Sequence, residues 1–141
     1  MSLCLYKIRA RNRAGASFLA LKSITMFDFQ NLEVYKKAKT FHKECKDLIL
    51  KSKFDKYVID QLGRASFSVP LNIAEGSGKY SKADRKNYFT TARASVFECI
   101  AVIDILCDEG KISVTELEVF FKNADELSRM LFAMIKNLDP A

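Results

Sequence analysis

The chain has 141 residues, 49% of them hydrophobic, with two prolines and five glycines. That is one domain's worth, large enough to bury a core without metal or disulfide staples, and it has no repeat or low-complexity tract. The formal charge of +6 loses its weight as a nucleic-acid signal once it is divided along the chain. Lys7, Arg9, Arg11, Arg13 and Lys22 lie among the first 25 residues with no acid, so the remaining 18 of 23 bases face all 17 acids.

Residues 1–25 combine this basic start with a short apolar stretch, Ser17 to Leu21, that Lys22 interrupts. A secretory core needs about 7–15 apolar residues and a membrane span about 20, so neither is expected. The composition also suits an organellar presequence, which nothing else in the chain supports. The preferred reading makes Met26 the natural or ancestral start, residues 1–25 a poorly ordered extension and residues 26–141 the domain. A basic arm for nucleic acid is the minority view. Cys4 falls in the extension, while Cys45, Cys99 and Cys107 occupy helical apolar positions without Cys-x-x-Cys spacing. Buried thiols in a reducing cytoplasm are therefore expected.

Asn31 is the expected N-cap of a first helix over about residues 32–51. Val34, Ala38, Phe41, Cys45 and Leu48 form its apolar stripe, opposite Lys36, Lys39, Lys43 and Lys46. Asp55 starts a second helix to about Glu75, with Val58, Leu62, Ala65, Val69 and Ile73 inward. Gln61, Arg64, Ser68, Asn72 and Glu75 make a polar stripe beside them. Gly63 and Pro70 oppose helix by about 1 and 3 kcal/mol. They imply close packing at Gly63 and a kink at Pro70.

Gly76 and Gly78 supply a C-cap and turn, and Ser81 to Asp84 opens a third helix over about residues 82–109. Its expected core stripe is Tyr88, Ala92, Val96, Cys99, Ile103 and Leu106, flanked by Asp84, Asn87, Thr91, Ser95 and Glu98. Folding the hairpin about Tyr80 predicts that Arg64 and Glu98 approach. Arg64, Asn72, Glu75, Ser95 and Glu98 would then form a polar seam between helices or between subunits. Gly110 closes this helix, and Ser113 to Glu116 reads as a capping box for a fourth that reaches about residue 137. Leu117, Phe120, Phe121, Ala124, Leu127, Leu131, Met134, Ile135 and Leu138 give that helix its period. Four amphipathic helices with short connections predict an all-α, antiparallel up-down four-helix bundle.

Three stretches carry a family resemblance: Asp60 to Ala65, Val69 to Gly76 with its Asn-Ile-Ala-Glu-Gly, and Phe89 to Glu98, with Leu127 to Leu131 in support. Over about residues 27–138 the chain resembles the bacterial four-helix-bundle proteins encoded in intervening sequences of 23S ribosomal RNA genes. The resemblance implies a homopentameric ring. It also implies a distant likeness to the accessory protein of diversity-generating retroelements, a basic pentamer implicated in binding nucleic acid and a reverse transcriptase. The near-neutral body of this chain departs from that basic character.

The chemistry of sites points away from an enzyme. Di-iron bundles use Glu-x-x-His pairs, but the only histidine, His42, has Lys39 three residues before it. His42 has no serine or cysteine partner at recognisable spacing, and Gly76-Ser77-Gly78 is no phosphate-cradling loop. No metal and no cofactor are expected, and Glu75 and Glu98 read as network residues before they read as acid and base. The hairpin tip gathers Lys79, Lys82, Arg85 and Lys86 at a helix N-terminus, where each cation opposes the macrodipole. An RNA or DNA phosphate would relieve the conflict, with Tyr80 stacking on a base. Solvent screening with Asp84 as counterion stands equal to that reading. The two functions carried forward are an oligomer that binds nucleic acid and an adaptor that recognises a protein.

Overall fold

The computed structural model describes residues 27–140; the expectations for residues 1–25 lie outside them. Four helices follow one another: α1 (Glu33–Lys51), α2 (Lys56–Ser77), α3 (Lys82–Asp108) and α4 (Val114–Lys136). They pack as an up-down bundle in which α2 lies on α3, α3 on α4, α1 on α2, and α1 closes onto α4. A short 3-10 helix, Asp28–Asn31, precedes α1.

That short helix displaces the expected cap. The Leu32 N–H donates to the Phe29 carbonyl, and Leu32, extended at φ −66° and ψ 127°, becomes the residue before α1 in place of Asn31. Asp55 does precede α2, without a side-chain hydrogen bond to its amides. At α3 the Asp84 N–H donates to Ser81 Oγ at 3.0 Å. The α4 capping box is reciprocal: the Glu116 N–H donates to Ser113 Oγ at 3.2 Å and the Ser113 N–H to Glu116 Oε2 at 2.9 Å. At the end of α3, Gly110 takes φ +68°. Lys111 N–H reaches the Leu106 carbonyl there and Gly110 N–H that of Cys107, the paired bonds of a Schellman turn.

The core is built from the stripes of all four helices. Val34, Ala38, Phe41, Cys45 and Leu48 of α1 and Val58, Leu62, Ala65, Val69 and Ile73 of α2 are all buried. On α3 the buried ring is Phe89, with Tyr88 only half-buried, because Phe89 is the side chain that packs across Gly76. On α4 Phe121 is exposed and Phe120 takes the inward position. Gly76 is a buried residue within α2, and Gly78 alone is the C-cap. Close packing occurs at Gly76, not Gly63: a Cβ at Gly63 would meet only Ile49 Cδ1, at 4.0 Å. Helix α2 runs unbroken through buried Pro70, which has no N–H to give the Ser66 carbonyl.

Candidate functional site

The α2–α3 turn places the predicted tip residues together, yet most are engaged within the monomer. Lys79 Nζ lies 4.9 Å from the Tyr88 ring centre. Arg85 Nε donates to the Lys79 carbonyl at 2.6 Å, which straps the turn to the first turns of α3. Lys86 pairs with Asp139 beyond the end of α4, and this hydrogen bond holds the Asp139 carboxyl below its ordinary range. Tyr80 is fully exposed, and beside it Lys82 makes no ion pair within 4.0 Å among the described residues.

The polar stripe between α2 and α3 divides into a joined and an unjoined part. Asn72 Nδ2 donates to Ser68 Oγ at 2.8 Å and to the Ser68 carbonyl at 2.9 Å. Ser68 Oγ meets Ser95 Oγ at 2.9 Å, and Ser95 Oγ donates on to the Thr91 carbonyl at 3.0 Å. Glu98 accepts from Gln61 Nε2. Arg64 forms no ion pair with Glu98 within 4.0 Å. It lines the groove that α2 makes with α1, and Glu98 is paired with the Gln61 amide, one turn earlier on α2. Glu75 is exposed and also stays outside the joined part.

Sequence spacing missed two arrangements. Ser66 Oγ, fully buried on α2, lies 2.8 Å from His42 Nδ1 on α1 and donates to the Gly63 carbonyl at 3.2 Å. Burial first, and the charge of Lys46 second, hold the His42 pKa below its ordinary value. A neutral imidazole beside an inaccessible hydroxyl, with no carboxylate orienting it among the described residues, makes a satisfied contact and not an activated nucleophile. The second arrangement is on α3: Arg93 lies between the rings of Phe97 and Phe132 and donates from Nε to Ser128 Oγ at 3.1 Å. Its i, i+4 spacing to Phe97 was the available signal.

Among the described residues no cluster of three or more His, Cys, Asp or Glu side chains is arranged to hold a metal. No helix there is long and apolar enough to cross a membrane. No curated protein matches the chain. A crystal structure of a protein with unknown function from the S23 ribosomal protein family of Bacteroides thetaiotaomicron VPI-5482 superposes with a TM-score of 0.69 at 21% identity. It covers 73% of this chain and 98% of its own. That likeness speaks for the fold. The sequence likeness is independent of it: the family model for 23S rRNA-intervening sequence proteins matches residues 30–133, which take in the bundle from the 3-10 turn to the last turn of α4. The chain therefore belongs to the 23S rRNA-intervening sequence protein family.

Proposed function

We propose that the protein is a non-enzymatic, cytoplasmic, self-associating bundle that offers its α2–α3 tip to the phosphates of RNA. The observation that carries this reading is Tyr80: its ring is wholly in solvent at the apex of a cationic turn. Leaving a large ring in water contributes nothing to folding, whereas stacking on an unpaired base is worth about 1–3 kcal/mol. Beside it Lys82, Lys79 and Arg85 have no carboxylate partner within 4.0 Å among the described residues, while Lys86 is already paired with Asp139. Self-association is supported by the half-exposed Phe67, Leu71, Phe97 and Phe132, large apolar side chains that one copy leaves in water. Assembly repeats the tip, and five copies, the number the family resemblance implies, turn a weak contact into a tight one.

The test is binding of a structured RNA with unpaired loops by the full chain across a salt series. Binding should weaken with log salt at a slope of about −0.7 per single-strand phosphate neutralised. Tyr80→Ala should weaken it at every salt concentration, and Lys82→Ala should lower the slope. Absence of binding at low salt overturns this function.

A second reading, a protein-binding adaptor, is favoured by one observation. Lys79, Arg85 and Lys86 all make contacts inside the monomer, so the tip is less available to phosphate than its composition indicates. It predicts no RNA affinity from a protein that still assembles.

A further inference from the structure

Arg93 is held on three sides. Its guanidinium carbon stands 4.6 Å from the ring centre of Phe97 and 5.4 Å from that of Phe132 on α4, and Ser128 Oγ accepts from its Nε. A guanidinium carries five N–H donors in a fixed fork, and this bond uses one. Among the described residues no carboxylate lies within 4.0 Å of it. Phe97 and Phe132 are 51% and 50% exposed, so the clamp is at the surface. Ordering a long, rotamer-rich side chain is unfavourable by itself. A pre-ordered arginine between aromatic rings is the composition of an interface hot spot.

The complementary surface is on α2. Phe67 and Leu71 are 52% and 46% exposed, and exposed Glu75 follows one turn on. The Glu75 carboxylate makes no ion pair within 4.0 Å among the described residues. The Ser68–Ser95 hydrogen bond fixes the register of α2 against α3, and it puts residues 67–71 and 93–97 at one height in the bundle. A rotation about an axis along the bundle therefore brings the clamp of one copy to the α2 face of another. One patch meeting a different patch is a head-to-tail contact, which closes into a ring when the rotation permits.

We infer that Arg93, clamped by Phe97 and Phe132, docks onto a second copy of this chain, where Glu75 takes the free edge of the guanidinium and Phe67 and Leu71 cover the rings. This rests on the self-association proposed above and assigns its two faces.

Sedimentation or native mass spectrometry of the full chain over a concentration series tests it. Wild type is expected as an oligomer. Arg93→Glu and Glu75→Arg should each raise the apparent dissociation constant at least about 30-fold, the effect of losing a hot spot. The double variant Arg93→Glu with Glu75→Arg should reassemble, because position 93 of each copy then meets the opposite charge at position 75 of the next, whatever the number of copies in the ring. A monomeric wild type overturns both this pairing and self-association. An oligomer indifferent to both single substitutions, or a double variant that stays dissociated, overturns the pairing alone. Circular dichroism checks that each variant folds. Should Arg93→Glu unfold, Glu75→Arg carries the test by itself: its site is exposed, and a cation near the C-terminus of α2 suits the helix dipole. An unchanged oligomer from that variant would overturn the pairing.

Discussion

Gly76 lies directly against Phe89: a Cβ built on the glycine would come within 2.8 Å of Phe89 Cε1 and 2.9 Å of Tyr88 Cβ. The glycine of the Asn-Ile-Ala-Glu-Gly run therefore lets α2 approach α3 more closely than a side chain there would permit. At this site local preference and tertiary packing disagree. Alanine is favoured over glycine in a helix by about 1 kcal/mol, but overpacking costs about 1–3 kcal/mol. Gly76→Ala should destabilise the bundle by on the order of 1–2 kcal/mol net. Gly63→Ala, where the nearest atom is 4.0 Å away, should stabilise it by up to about 1 kcal/mol. Urea denaturation of both variants checks the pair, and equal signs would refute the packing argument.

This contrast shows what the sequence could and could not disclose. The α1 and α2 stripes were legible because helical period assigns an angle to each residue, and a stripe with one clear centre, such as Val34 to Leu48, leaves little choice. The boundaries at Ser81, Gly110 and Ser113 were legible because caps are local chemistry. Tyr88 and Phe89 are adjacent aromatics, and only the position of Gly76 on the facing helix decides which one is buried. His42 with Ser66, Lys86 with Asp139, and Arg64 without Glu98 are settled by the rotation of one helix against another. Local spacing carries no record of that rotation. The residues of the basic tip are adjacent in sequence, but their internal partners lie on Tyr88, the Lys79 backbone and the far end of α4.

The Ser68–Ser95 pair should be energetically coupled. Ser95 is buried and its hydroxyl is shared among Ser68 and the Thr91 carbonyl, while Asn72 closes the network on the α2 side. Removing one hydroxyl leaves the other short of a partner, at about 1 kcal/mol. The double change Ser68→Ala with Ser95→Ala should cost less than the sum of the singles, by about 0.5 kcal/mol or more. Strict additivity in a double-mutant cycle would show that the two hydroxyls act separately.

Thiol reactivity should separate the three described cysteines. Cys45 and Cys99 are fully buried, and the Cys45 thiol is driven up by its hydrogen bond with Cys99 and then by burial, so its thiolate is suppressed. Cys107 is half-buried. Alkylation of the native protein, followed by peptide mapping, should label Cys107 first. Cys45 and Cys99 should follow slower by on the order of 10³ or more, since they must await opening of a domain with roughly 5 kcal/mol or more of stability. Comparable rates at Cys45 and Cys107 would mean that the centre of the bundle opens locally.

His42 should make the bundle sensitive to mild acid. Its imidazole contacts Ser66 Oγ and lies near the Phe67 ring, and burial with the nearby Lys46 charge lowers its pKa in the folded protein. The unfolded chain, with a histidine pKa of about 6.5, then takes up the proton first as pH falls. The stability associated with neutral His42 is thus fully present above about pH 6.5 and is lost as pH falls through the lower folded pKa. Thermal melts between pH 7.5 and 5.5 should show a falling midpoint in wild type and a flatter profile in His42→Gln, whose amide can still meet Ser66 but does not titrate. That window lies above the range in which Glu33, Glu116 and Asp139, all held below their ordinary values, take up protons. Parallel profiles for the two proteins would assign the acid sensitivity to groups other than His42.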